Sequence, residues 1–160
     1  MDILLFAQTF SLLLPTLWLT TGVRDNILHP PVNEVFTAQV LTMERMKEDF
    51  PEEYERVAHR AIHSRGWQKG LFRLIVAAEI TTAVVLWVGV LAMALAALGI
   101  ALPSMARGVA LIGALMFTGL WSMFTVVGNH FSYWFCHEGA QNTHFQLLLW
   151  GLGNMIFLNL

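Results

Sequence analysis

The chain has 160 residues, of which 56% are hydrophobic and only 12% charged, and its mean hydropathy is +0.59. That balance excludes an ordinary soluble domain and indicates an integral membrane protein. The formal net charge of −2 gives no electrostatic reason to expect nucleic acid, and the single cysteine, Cys136, excludes an intramolecular disulfide.

Four runs, 3–23, 80–106, 108–137 and 139–160, lack Lys, Arg, Asp and Glu altogether. Each is near or above the roughly 20 residues needed to cross about 30 Å of hydrocarbon. The expected fold is all-α, a four-transmembrane-helix bundle forming one integral membrane domain over 1–160. Its spans fall at about 3–22, 70–102, 107–128 and 143–160. Two short amphipathic surface helices are expected between the first and second spans, within the extramembrane segment 23–69.

In chain order, the first run follows Asp2 with no basic segment ahead of it and no small-x-small site, so it reads as a membrane helix and not as a secretory signal. Pro15, with Thr9, Ser11 and Thr16 nearby, predicts a kinked helix that packs against protein. Segment 23–69 holds eight of the eleven acids and seven of the nine basic residues. Here Pro30 and Pro31 make a turn, and Asn33 is the expected N-cap of a helix to about Asp49. Pro51 opens a second helix with Glu52 and Glu53 at its positive end and Gly66 as its stop. Trp67, Lys69 and Arg73 suit the interfacial end of the second span. Pro103, Ser104 and Arg107 turn the chain into the third. Ala92, Ala96, Gly113, Ala114 and Gly119 permit these two antiparallel spans to approach closely. A polar and aromatic connection, 129–143, leads to the last span.

Three constellations could carry chemistry. Glu79 is a carboxylate inside an apolar span, which by default marks a functional or packing site. Arg73 is out of phase for an ion pair on the same helix, so the partner is expected from another helix. His59 and His63, spaced i, i+4, match one metal-binding geometry, although two ligands do not close a site. His130, His137 and His144, with Cys136 and Glu138 among them, form a second metal or haem set to consider. The aromatics around Phe131 and Trp134 fit either a membrane-boundary belt or a dock for a partner subunit or lipid. No Walker motif, CxxC pair or G-x-S-x-G elbow is present, and catalysis by this chain alone is not expected.

The runs Asn33-Glu34-Val35-Phe36 and Val40-Leu41-Thr42-Met43-Glu44, together with Glu79 and Gly128-Asn129-His130-Phe131-Ser132-Tyr133-Trp134, resemble a bacterial family of predicted small integral membrane proteins. Its members share the length, four predicted spans, a membrane Glu and related N-x-x-F and G-E-W-F-x-x-W patterns. Here Asn129 and His130 stand where that last pattern has glutamate and tryptophan. The resemblance implies a multi-pass protein of the bacterial inner (cytoplasmic) membrane. The matched positions Asn33, Phe36, Met43, Glu79, Phe131 and Trp134 are expected to converge, with Glu79 accepting hydrogen bonds that fasten the surface segment to the bundle.

The leading functional expectation is a non-catalytic accessory or assembly subunit of a larger membrane complex. Its expected partners are membrane lipids and other membrane-protein subunits or further copies of the chain. The alternatives are a metal- or haem-binding redox protein and a small transporter or channel using Glu79. No cofactor is expected beyond lipid unless the metal or haem alternative holds. Seven Lys and Arg in 23–69 against Arg107 on the other side place that segment in the cytoplasm and both chain ends outside. A reporter fused after Leu160 is therefore expected to be active outside the cytoplasm; activity confined to the cytoplasm contradicts this orientation.

Overall fold

A computed structural model describes residues 2–160, and among these residues the chain forms eight helices and no strand. They are α1 (Ile3–Leu28), α2 (Pro30–Thr42), α3 (Glu44–Asp49), α4 (Pro51–Val57), α5 (Arg65–Ala97), α6 (Pro103–His130), α7 (Tyr133–Cys136) and α8 (Glu138–Leu158), with a single 3-10 turn at Ala58–Arg60. Three of them, α1, α5 and α6, are long and apolar enough to cross a membrane. The fourth long helix, α8, begins with a polar stretch, 138–146, and carries its apolar residues at 147–158.

The long helices assemble because their buried residues recur at three-four spacing, which keeps one face of a helix inward. On α1 the inward residues are Leu5, Gln8, Leu12, Pro15, Leu19, Val23 and Asn26. On α5 they include Glu79, Thr82, Leu86, Gly89, Met93 and Ala96. The series continues with Ala106, Ala110, Gly113, Phe117 and Trp121 on α6 and Leu147, Gly151, Asn154 and Leu158 on α8. Helix α5 packs against both α1 and α6, α6 packs against α8, and α8 returns to α1. Gly89 and Gly113 bring the α5 and α6 backbones together: a Cβ on Gly89 would lie 3.0 Å from the Ala110 Cα, and one on Gly113 would lie 3.2 Å from the Leu86 Cα. Gly119 meets nothing within 4 Å and takes no part in that approach.

Several boundaries differ from the sequence expectation. Helix α1 continues through Pro15 and past Gly22 to Leu28, and the Thr16 and Thr20 hydroxyls donate to the carbonyls of Leu12 and Thr16. The extramembrane segment forms three short helices and a 3-10 turn in place of two helices. Its first break is at Met43, whose left-handed φ of 54° ends α2. That conformation costs a residue other than glycine about 1–2 kcal/mol, and here the Met43 side chain is fully buried in return. Asn33 lies inside α2 and is not its cap, because Pro30 and Pro31 already start the helix. Gly66 stands in the first turn of α5 instead of ending a helix, α5 ends at Ala97 instead of 102, and Pro103 opens α6 instead of belonging to a turn. His59 falls in the 3-10 turn and His63 in the following coil, so they do not share a helical face.

At Gly151 an added Cβ would overlap the Thr118 hydroxyl and approach the Thr118 Cα to 3.2 Å, whereas Gly70, inside α5, meets nothing within 4 Å. Gly151→Ala is therefore expected to destabilise the α6–α8 contact by about 1–3 kcal/mol. Gly70→Ala should be neutral or stabilising by up to about 1 kcal/mol. Thermal midpoints in detergent check both; equal midpoints for Gly151→Ala and the wild type contradict the close approach.

Candidate functional site

Glu79 is buried where α5 meets the end of α1. The Asn26 amide Nδ2 donates to Glu79 Oε2 at 2.6 Å, and the Asn33 Nδ2 donates to Asn26 Oδ1 at 2.6 Å. One carboxylate thus ties α5 to α1 directly and to α2 through one intervening amide. The order of the relay follows from chemistry: the carboxylate offers acceptors, and each amide carries one acceptor and two donors. The expected partner from another helix is therefore Asn26, and Asn33 lies one step further out.

Glu79 lies within the spanning helix α5, as expected, towards one end of its apolar part. Asn26 follows Arg24 and Asp25, where the apolar run of α1 ends. From Glu79 to Ala97, α5 rises about 27 Å, close to the full hydrocarbon thickness of about 30 Å. Glu79 accordingly sits at the boundary of the apolar layer and not at its middle. The first turns of α5, from Arg65, project beyond that boundary and carry the extramembrane helices; α2 packs against α5 there.

A second, smaller core lies in this projecting part, formed by Leu41, Met43, Met46, Tyr54 and Phe131. It is tied together by the Ile62 N–H donating to Leu41 O at 2.8 Å, by Arg45 Nη1 donating to Cys136 O at 3.0 Å, and by Phe50 edge-on to Phe135 at 4.5 Å. Of the six positions expected to converge, Met43 and Phe131 share this core, Asn33 and Glu79 share the relay, and Phe36 and Trp134 are exposed.

The histidines part company. His144 turns into the bundle, stacked on Trp121 at 5.2 Å and close to Phe124 at 4.6 Å, with its Nδ1 3.3 Å from the Tyr133 hydroxyl. Tyr133 fits there because Gly128 leaves room: a Cβ at 128 would lie 2.8 Å from the Tyr133 ring. Burial pushes the Tyr133 phenol up to about 12. His137 also packs beside Tyr133, with ring centroids 5.5 Å apart, and burial, then the nearby Arg45 charge, hold its pKa below the usual imidazole value. His130 is exposed beside Phe131. Burial, then Asp49, pushes the Cys136 thiol up, with Arg45 partly offsetting them, which disfavours the reactive thiolate. Among the described residues no group of three or more His, Cys, Asp or Glu side chains is placed to hold a metal ion. The buried Trp121 Nε1 has no hydrogen-bond partner among the described residues.

The opposite end of the bundle holds polar contacts that sequence reasoning missed. Gln8 is fully buried; its Nε2 donates to Phe157 O at 2.8 Å and its Oε1 accepts from Arg107 Nε at 3.0 Å, joining α1, α6 and α8. One helical turn along, Ser11 donates to Asn154 Oδ1 at 2.9 Å. The available signal was positional: Gln8, Asn26 and Asn154 occupy inward places in otherwise apolar three-four patterns.

Among the described residues two shallow surface grooves stand out, and Glu79 lines neither. One, of about 550 Å³, lies between α6 and α8 on the side of the extramembrane segment. The other, of about 460 Å³, lies at the opposite end, beside Asp2 and Pro103.

The family described as "Predicted small integral membrane protein (DUF2165)" matches residues 4–160, and the chain belongs to it. This establishes a multi-pass integral membrane protein. No curated protein and no solved structure matches the chain.

Replacing Glu79 by Gln keeps an acceptor for Asn26, whereas Leu strands the buried amide. Glu79→Leu is therefore expected to lower stability by about 1–3 kcal/mol, with Glu79→Gln nearer the wild type. Unfolding in detergent, followed by tryptophan fluorescence, measures the difference; a leucine variant as stable as wild type contradicts the relay.

Proposed function

We propose that the protein is a non-catalytic accessory or assembly subunit of a larger membrane complex, carried in the bacterial inner membrane by four spans with segment 23–69 on the cytoplasmic side. One observation supports this role above others: the outward face of α8. Asn142, Gln146, Leu149, Gly153 and Ile156 are all exposed and recur at three-four spacing, the pattern that elsewhere in this chain marks a buried seam. A Cβ on Gly153 would meet nothing within 4 Å, so the backbone there is open to a neighbour.

The same face is poorly suited to lipid alone. The apolar part of α8, 147–158, is only about 18 Å long, and Asn142 and Gln146 extend a polar shoulder above it. In a bilayer such side chains are better accommodated against another helix, which offers hydrogen-bonding groups and close backbone contact at glycine. The partner fitting this seam is a transmembrane helix of another subunit. The positive-inside asymmetry between segment 23–69 and Arg107 supports the orientation.

Native electrophoresis after extraction in mild detergent tests the role. The wild type should migrate well above its 18.0 kDa chain mass as an assembly containing a second protein. Gly153→Leu and Gln146→Leu should each release it, while Leu115→Ala, on the exposed face of α6, should not. A wild type that runs as a monomer or as copies of itself alone, or a Gly153→Leu variant that keeps its partner, contradicts the role.

A further inference from the structure

The groove between α6 and α8 has a chemical gradient along its length. Glu138, in the first turn of α8, stands at its outer end, the amides of Asn129, Gln141 and Asn142 line its middle, and Phe145 and Leu148 line its inner end. From Glu138 to Leu148 the helix rises about 15 Å. The direction is from the aqueous side of the bundle, marked by the Arg45 contact to Cys136, towards the apolar layer. No Lys or Arg lines the groove, so its only formal charge is the Glu138 carboxylate.

The geometry points to a lipid site selective for a primary-ammonium headgroup, such as that of phosphatidylethanolamine. The carboxylate complements the ammonium, and the amide oxygens of Gln141 and Asn142 accept its two remaining N–H bonds, while Asn129 Oδ1 accepts from Gln141 Nε2 at 3.4 Å and holds that side chain in place. The amide N–H groups donate to phosphate and ester oxygens, and Phe145 and Leu148 cover the first methylenes of an acyl chain. A trimethylammonium headgroup has no N–H to donate, and an anionic glycerol headgroup brings no cation to Glu138. Both are discriminated against by the same residues. The site shares Asn142 with the α8 seam but does not depend on the subunit role, since its ligand comes from the bilayer.

The test is native mass spectrometry of the full chain released from micelles carrying an equimolar mixture of phosphatidylethanolamine, phosphatidylglycerol and phosphatidylcholine. The wild type should retain phosphatidylethanolamine in preference to either competitor, by roughly three- to tenfold for one charge-assisted contact near the surface. Glu138→Gln should abolish the preference, and Glu138→Asp should keep most of it. Asp2→Asn, at the rim of the opposite groove, should leave it unchanged. Glu138 is exposed, and equal thermal midpoints of the variants will show that the fold is retained. Were Glu138→Gln to unfold, Glu138→Asp together with the wild-type preference would still decide. Equal retention of the three lipids, a preference that survives Glu138→Gln, or one lost equally in Asp2→Asn overturns the site.

Discussion

A carboxylate enclosed by helices at the edge of a hydrocarbon layer must be given hydrogen-bond donors, and the fold is organised around how Glu79 obtains them. A buried carboxyl left without a donor there would cost about 1–3 kcal/mol, so registers of α5 on α1 that leave Asn26 out of reach are disfavoured. The constraint fixes three elements together. It sets the axial position of α5 on α1, it sets how far α5 projects beyond the apolar layer, and through Asn33 it draws α2 down onto the bundle. Small residues at the α5–α6 seam then allow close packing, but they do not choose the register as sharply as one acid and one amide do.

The bundle is polar at both ends of its seams, in different ways. At the end that holds both chain termini, Gln8 bridges Arg107 and the last turn of α8, joining three of the four long helices, α1, α6 and α8. At the other end the projecting part of α5 supports a second core that joins α2, α3 and α4 to the α6–α7 corner. The segment that looks extramembrane by charge is therefore an integral part of the fold, held by a carboxylate relay, a buried cluster and backbone contacts. Apart from the buried Trp121 Nε1, what is left unpartnered is on the outside: the α8 face and the α6–α8 groove, where both proposed interactions lie.

Much of the architecture was legible in the sequence, because charge-free runs and the position of Glu79 follow directly from the cost of burying charge in lipid. The bundle seams were partly legible, since small residues marked the α5–α6 contact, although Gly89 was missed and Gly119 faces outward. Helix ends were read poorly for a physical reason. Pro30 and Pro103, taken as turn residues, start helices at their first turn and lie inside them, as Pro51 was expected to do and does. Asn33 was correctly associated with Glu79, but its role as cap was wrong, and Asn26 was hidden because a charged pair, Arg24 and Asp25, made that stretch look like loop. His130, His137 and His144 were grouped as one metal or haem set because they crowd into one short connection. Left-handed Ser132 and the break at His137 divide them among separate elements.

The central claim is that Asn33 acts on Glu79 only through Asn26, and a double-mutant cycle between Asn33→Ala and Glu79→Leu, run with and without Asn26→Ala, measures this most directly. The account predicts a coupling of about 0.5–3 kcal/mol when Asn26 is present and additivity once it is removed. Additive effects in the presence of Asn26, or coupling that persists without it, would contradict the relay.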